Sequence, residues 1–215
     1  MLPLYVARRA GRGDGDEEEC DVDSQGFLNG HDPLPGRLSR VIVAGASGAG
    51  KTTLAAHIGV RLGLPHTEID ALFHGPGWTP RSEFVADVQR LAAGERWVTE
   101  WQYALVRPLL AERADLLVWL DLPLPVVMRQ VIWRTVRRRL LREELWNGNR
   151  EPPFRTIVAD PEHIVRWAWT GHAKIEAKVL DLHEHRPDLP VVRLRSRAEV
   201  RRWCAGLLAA AESSA

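Results

Sequence analysis

The chain has 215 residues, with 29 Lys and Arg set against 28 Asp and Glu for a formal net charge of +1. Hydrophobic residues make up 45% and charged residues 27%, enough apolar material for one sizeable core in a single α/β domain. The near-neutral balance supplies no global field for a polyanion or a membrane surface, two cysteines make no disulfide framework, and no apolar run has the length of a membrane span.

Residues 1–38 read as a disordered tail. Gly11 to Glu19 is polar, glycine-rich and acidic, with no apolar period. The opening Met1 to Arg9 carries its charge after its apolar residues, the reverse of a secretory signal, so the expected compartment is the cytoplasm. One domain is then expected over 39–215.

The domain opens on Val41-Ile42-Val43-Ala44, which has the length and composition of a buried parallel strand. It runs into Gly45-Ala46-Ser47-Gly48-Ala49-Gly50-Lys51-Thr52, which fits G-x-x-x-x-G-K-[ST] at every fixed position. Leu54, Ile58 and Leu62 then repeat every four residues, as one face of a helix does. The chemistry follows from the residue types. Glycines let successive backbone N–H groups approach phosphate oxygens closely, and the helix beginning near Lys51 adds its unpaired N–H groups and positive dipole end. Gly45, Ser47, Gly48, Ala49, Gly50, Lys51, Thr52 and Thr53 are therefore the expected contacts to ATP, with Lys51 reaching the β- and γ-phosphates and Thr52 offering its hydroxyl to Mg²⁺.

Pro65 to Asp70 reads as a short second strand ending in an acid, and Gly75 to Pro80 as a loop. Ser82 is placed to cap a helix over Glu83–Leu91, with Phe84, Val88 and Leu91 on one face and Gly94 as its stop. Arg96 to Trp101 reads as a third strand, Tyr103 to Arg113 as a short helix, and Asp115 to Pro123 as a fourth strand buried on both faces. Pro125 to Leu145 reads as a long arginine-dense helix broken at Trp146-Asn147-Gly148-Asn149. Pro161–Leu182 reads as a helix, Pro190–Leu194 as the last strand and Glu199–Ala211 as the closing helix. Strands alternating with helices predict a parallel sheet covered on both sides, with ligands beyond the carboxyl ends of its strands. That rule sets Gly45–Thr52, Asp70, Glu100 and Asp121 along one rim.

Several stretches coincide: the phosphate loop, Ile69-Asp70-Ala71-Leu72-Phe73-His74, Gly77-Trp78-Thr79-Pro80-Arg81, Val118-Trp119-Leu120-Asp121-Leu122-Pro123, and Glu144-Leu145-Trp146-Asn147-Gly148-Asn149-Arg150-Glu151. Together they resemble the adenylate-kinase-like P-loop proteins labelled DNA-topology-modulation or FlaR-like, from about residue 39 to the end. The resemblance implies a three-layer P-loop NTPase fold of the nucleotide-kinase type. It implies a five-stranded parallel sheet, an acceptor-binding side, and an arginine-rich helical lid over about 129–156. It also implies that the third strand lies beside the P-loop strand and the fourth on its other side. Where such proteins read acid-Gly-Asn-Tyr after the third strand, this chain reads Glu100-Trp101-Gln102-Tyr103, which puts an indole where glycine would let backbone approach the acceptor.

Glu100 is then the first choice for the acid on the Mg²⁺ side, and Asp121, which has an apolar run before it, is the alternative. A strand-end acid that caps the next helix is the bland reading of either. Asp70 is placed to accept or orient the proton of an attacking hydroxyl. Arg81 and Arg107 are candidate clamps for an anionic acceptor, and Trp78 and Trp101 are candidate stacking platforms. Trp119 and Trp133 read as core. Arg134, Arg138 and Arg142 share a helix face flanked by Arg137 and Arg139, so Arg134 and Arg138, with Arg150, are expected to neutralise charge on the transferring phosphoryl group. By analogy with related kinases Arg195 to Arg197 are expected to pack on adenine, a plain surface position being the alternative, and His183 and His185 have no third metal ligand nearby. The expected activity is ATP-dependent phosphoryl transfer to a nucleotide, nucleoside or other small hydroxyl or phosphate acceptor, in a monomer or homodimer. The alternative is a nucleotide-switched regulator that touches DNA through the arginine helix.

Overall fold

A computed structural model describes residues 23, 25–32, 38–141, 144, 146–149 and 174–212, the side chains of 139 and 207–212 apart. Four strands make a parallel sheet: β1 (Arg40–Gly45), β2 (Trp97–Glu100), β3 (Leu116–Leu120) and β4 (Val191–Leu194), in the order β2-β1-β3-β4. Around it lie α1 (Lys51–Leu62), α2 (Ile69–Phe73), α3 (Phe84–Ala93), α4 (Arg107–Arg113), α5 (Leu124–Leu141), α6 (174–185) and α7 (Arg197–Glu212). β2 pairs with one edge of β1 and β3 with the other, the placement that the resemblance implied.

The period of two along each strand divides the core. Ile42 and Ala44 of β1 and Leu117 and Trp119 of β3 point to one face, where they meet Phe84 and Val88 of α3, Leu110 of α4 and Val179 of α6. Val41 and Val43, with Leu116, Val118 and Leu120, point to the other face, against Leu54 and Ile58 of α1 and Trp203 of α7. Burial on both faces is why β1 and β3 read as continuous apolar runs. It also fixes which ends of the strands are left to carry polar chemistry.

Four expectations are corrected. Among the described residues the sheet has four strands rather than five, because Pro65 to Asp70 forms one bridge there, His66 to Val98, before the chain turns into α2 at Ile69. Asp70 therefore sits in the first turn of a helix, not at a strand end. The chain before residue 39 is not all tail. Phe27 is fully buried against Trp119 with ring centroids 5.8 Å apart, and Leu28 bridges Val192 through two backbone hydrogen bonds of 2.9 Å. Burying that ring contributes roughly 2–3 kcal/mol, so residues 25–32 belong to the domain. Trp133, read as core, is 70% exposed.

The remaining elements match with shifted ends. α3 starts at Phe84 without a side-chain cap, since the Ser82 hydroxyl donates to the Glu83 carboxylate instead. α5 ends at Leu141, ahead of a turn at Trp146–Gly148 in which Asn147 takes a left-handed conformation (φ 56°). Arg142, Arg150, the remainder of the expected lid and residues 161–173 of the expected helix lie outside the described residues.

Candidate functional site

β1 ends at Gly45, the loop turns through Gly48 (φ 82°) and Gly50 (φ 100°), and α1 begins at Lys51 with Gly50 as its N-cap. Both φ values lie where only glycine is relaxed. A side chain at Gly48 would also collide with α5, because its Cβ would fall 2.1 Å from a Val131 methyl carbon. α5 thus crosses directly over the phosphate loop.

The loop opens into a cleft of about 820 Å³. Its floor is Ser47, Gly48, Gly50, Lys51, Thr52 and Thr53, one wall is Glu68, Asp70, Gln102 and Trp146, and the roof is α5. Two adjacent stripes of α5 face the cleft, Arg129-Trp133-Arg137 and Gln130-Arg134-Arg138, each spaced by four residues. The second stripe's arginines are those expected from the sequence. Trp133 is not: its exposed indole belongs to the cleft, and its spacing from Arg129 and Arg137 is the signal that the sequence carries.

Lys51 is 8% exposed, and its ammonium donates to the Ala46 carbonyl at 3.1 Å. Burial pushes this amine down to about 8, against the pull of the Asp70 and Glu100 carboxylates and with added repulsion from Arg134. Such a lysine is held at the centre of the loop by a site that would be better satisfied with anionic oxygens present.

Glu100 closes β2 beneath this lysine and is almost wholly buried. Its Oε2 accepts the Ile69 amide at 2.9 Å, and its Oε1 lies 3.5 Å from His66 Nε2. Burial favours the neutral acid, but the His66 ring, the Ile69 amide and the Thr52 hydroxyl more than offset it and hold the carboxyl below its ordinary value. The His66 ring acts on the carboxylate from 3.5 Å without closing a hydrogen bond, so Oε1 is a buried anionic oxygen with no hydrogen bond from the described residues. That oxygen, with the Thr52 hydroxyl beside the same carboxylate, fits a hard divalent cation, which takes oxygen ligands and restores the missing contact.

Asp121, the alternative acid, is engaged otherwise. It receives Arg193 Nε at 2.9 Å and Nη2 at 2.8 Å, and the Arg193 guanidinium lies 4.5 Å from the Trp119 ring. Asp70 is on the cleft wall, where its Oδ1 accepts from Tyr103 Oη at 2.6 Å and from Gln102 Nε2 at 3.1 Å. Glu68 beside it accepts from Trp146 Nε1 at 2.6 Å. The loop after α2 is pinned to the turn after α5: Asn149 donates to the Gly75 carbonyl at 2.9 Å and accepts the Trp78 amide at 3.1 Å, and Asn147 donates to the His74 carbonyl. The Trp146-Asn147-Gly148-Asn149 turn is thus used to build the cleft wall that carries Glu68.

The expected acceptor residues divide. Trp78 is 37% exposed and lies edge-on to Trp146 at 6.3 Å, next to the cleft. Trp101 is corrected: it is 5% exposed, and its indole donates to the Arg107 carbonyl at 3.0 Å, so it is a core residue and not a rim platform. Arg107 lies over that indole at 5.5 Å, and Arg81 pairs with Asp87 at 3.0 Å; neither lines the cleft. Arg195 pairs with Asp23 at 2.6 Å, whereas Arg197 lines the cleft. With its amide turned to donate to the Gly48 carbonyl at 2.8 Å, Gln130 accepts from Arg197 at 2.8 and 2.9 Å. Behind Arg197 a second hollow of about 560 Å³, lined by Leu54, His57, Leu122, Val200 and Cys204, adjoins the loop at Gly50 and Thr53. Among the described residues no cluster of His, Cys, Asp and Glu forms a metal site of its own, and no helix is long and apolar enough to cross a membrane.

No protein-family model matches the chain, and no curated protein sequence matches it. Solved structures do resemble it. A gluconokinase from Sinorhizobium meliloti 1021 aligns at 21% identity and a TM-score of 0.47, over 83% of this chain and 96% of that one. A shikimate kinase from Acinetobacter baumannii, in complex with shikimate, aligns at 18% identity and a TM-score of 0.47, over 82% and 94%. A sugar kinase from Janibacter sp. HTCC2649 aligns at 21% identity and a TM-score of 0.42, over 82% and 93%. At these scores the likeness carries no weight for the activity, which rests on the chain's own residues.

Proposed function

We propose that this chain is an ATP-dependent phosphotransferase acting on a small molecule. The observation that carries the proposal is the shared cleft: a buried lysine in a glycine nest on its floor, two carboxylates on one wall and arginines along the roof. A polyphosphate needs the first and the last, and an acceptor that must be oriented needs the second.

In this reading Gly45, Ser47, Gly48, Ala49, Gly50, Lys51, Thr52 and Thr53 hold the phosphates of ATP, and the hollow behind Arg197 takes its nucleoside end. A magnesium ion held by Thr52 and Glu100 would neutralise phosphate charge on that side. Arg134 and Arg138 reach down from α5 to stabilise charge on the transferring group. Asp70 orients the acceptor opposite Lys51, with Trp78 near that end of the cleft. The acceptor is a nucleotide, a nucleoside or another small compound. Arg134, Arg137 and Arg138 all line the cleft above the phosphate loop, which favours the enzyme over a DNA-binding helix.

The test is thermal stability with and without ATP·Mg²⁺, followed by an acceptor panel. A ligand present at 100 times its Kd adds about 2.7 kcal/mol to apparent stability. That gain should appear with ATP·Mg²⁺ and vanish in Lys51→Ala. A protein whose melting ignores millimolar ATP and GTP with magnesium would sink the proposal.

A further inference from the structure

The segment joining β2 to α4 has a use that neither the phosphate loop nor the arginine roof accounts for. Gln102 and Tyr103 follow Glu100 by two and three residues, and both side chains turn back onto Asp70. Tyr103 does this from a left-handed backbone conformation (φ 58°), rare for a residue with a bulky side chain. Its carbonyl accepts the amides of Val106 and Arg107 at 3.1 Å each, which ties that backbone to the start of α4. Its ring stacks on Phe73 at 4.1 Å and meets Phe84 edge-on at 5.2 Å. Burial, helped by the hydrogen bond to Asp70, pushes the phenol far above its ordinary value, so it stays protonated and remains a donor. The same hydroxyl lies 3.3 Å from His74 Nε2.

Both donors take one oxygen, Oδ1. The other, Oδ2, receives no hydrogen bond from the described residues and belongs to a side chain that lines the cleft. We infer that Tyr103 and Gln102 are positioning residues that lock one oxygen of Asp70 so that the other takes the proton of an acceptor hydroxyl, making the acceptor an alcohol and not a phosphate. This rests on the phosphotransferase reading and narrows it. A carboxylate accepts hydrogen bonds only. An alcohol has a proton to give it. A phosphate monoester has a second pKa near 6 and is largely a dianion at neutral pH, so it would meet Asp70 and Glu68 as like charges on one wall. In the transfer step the alcohol oxygen forms a bond to the γ-phosphorus of ATP, the bond from that phosphorus to the bridging oxygen breaks, its electron pair leaves on ADP, and the hydroxyl proton goes to Asp70 Oδ2.

The experiment uses the full chain with ATP·Mg²⁺ and follows phosphoryl transfer by ³¹P NMR to water, to molar glycerol as a minimal alcohol, and to AMP, GMP, CMP and UMP. Transfer to water and glycerol should fall about 100-fold in Asp70→Asn, with the KM for ATP unchanged. Tyr103→Phe keeps the ring stack and loses only the donor, and should lower kcat about 5-fold, again at constant KM. In the Asp70→Asn background Tyr103→Phe should have no further effect, because a residue that acts through Asp70 has nothing left to act through. Gln102→Ala gives an independent second variant with the same expected pattern. An equal Tyr103→Phe loss in both backgrounds, or unchanged kcat in every variant, overturns the inference. So does faster transfer to a nucleoside monophosphate than to glycerol, or a wild type that binds ATP·Mg²⁺ and transfers to no acceptor. A wild type that does not bind ATP·Mg²⁺ at all overturns the phosphotransferase reading instead.

Discussion

The ends of β2 and β3 flank β1 on opposite sides, and each carries an acid after an apolar strand. They do opposite work. Glu100 faces the phosphate loop, shares Oε2 with the Ile69 amide and keeps Oε1 without a hydrogen bond among the described residues. Asp121 faces Arg193 of β4, which binds it twice while also contacting Gln25 and Trp119. Identical local sequence logic therefore yields a buried carboxylate with one oxygen lacking a hydrogen bond among the described residues at one strand end, and an ion pair at the other. The neighbour across space decides, and it comes from far along the chain in both cases: Thr52 for Glu100, Arg193 for Asp121.

The largest effect is expected at Lys51, whose amine feels the Glu100 carboxylate. Lys51→Met should abolish ATP binding by titration calorimetry and, at pH 7, stabilise the nucleotide-free protein by about 3 kcal/mol in urea melts. Unfolded, the amine titrates at its ordinary 10.5; folded, it titrates at about 8. Between those values the unfolded chain binds the extra proton, so wild-type stability rises with pH across that window and the penalty is present in full below it. The advantage of Lys51→Met should accordingly shrink as pH rises from 8 and disappear above 10.5. Equal melts at pH 7 would show that the lysine is not strained in the free protein.

Glu100→Gln comes next. Its amide oxygen can still accept the Ile69 amide, but the negative charge is lost, and magnesium affinity measured through ATP binding should drop about 10- to 100-fold. Asp121→Asn should leave that affinity alone and lower stability by about 1–2 kcal/mol through a weakened Arg193 contact. A reversal of these two outcomes would exchange the roles of the two strand ends. The smallest change is expected from Trp101→Phe, which removes the indole hydrogen bond to the Arg107 carbonyl and should cost about 1 kcal/mol with no effect on the nucleotide.

The amino-acid sequence by itself determined the phosphate loop, because a strand, fixed glycines, Gly-Lys-Thr and a helix are consecutive in the chain and each is a local property. It determined the parallel α/β layering and the face of α5 that carries Arg134 and Arg138 for the same reason: periods of two and four are written along one element. Tertiary structure alone decided the rest. Trp101 and Trp133 are equally apolar as residues, yet one fills the space beside Arg107 and the other stands in the cleft, according to which surface packs over them. Phe27 sits thirteen residues ahead of β1 in a polar stretch, and only the space beside Trp119 makes it core. Asp70 became a wall residue with one oxygen held because Tyr103 lies across from it, a pairing of residues 33 apart in the chain. Local patterns specify elements; the partner of a buried polar group is chosen by whichever distant residue the packed elements bring within hydrogen-bond reach.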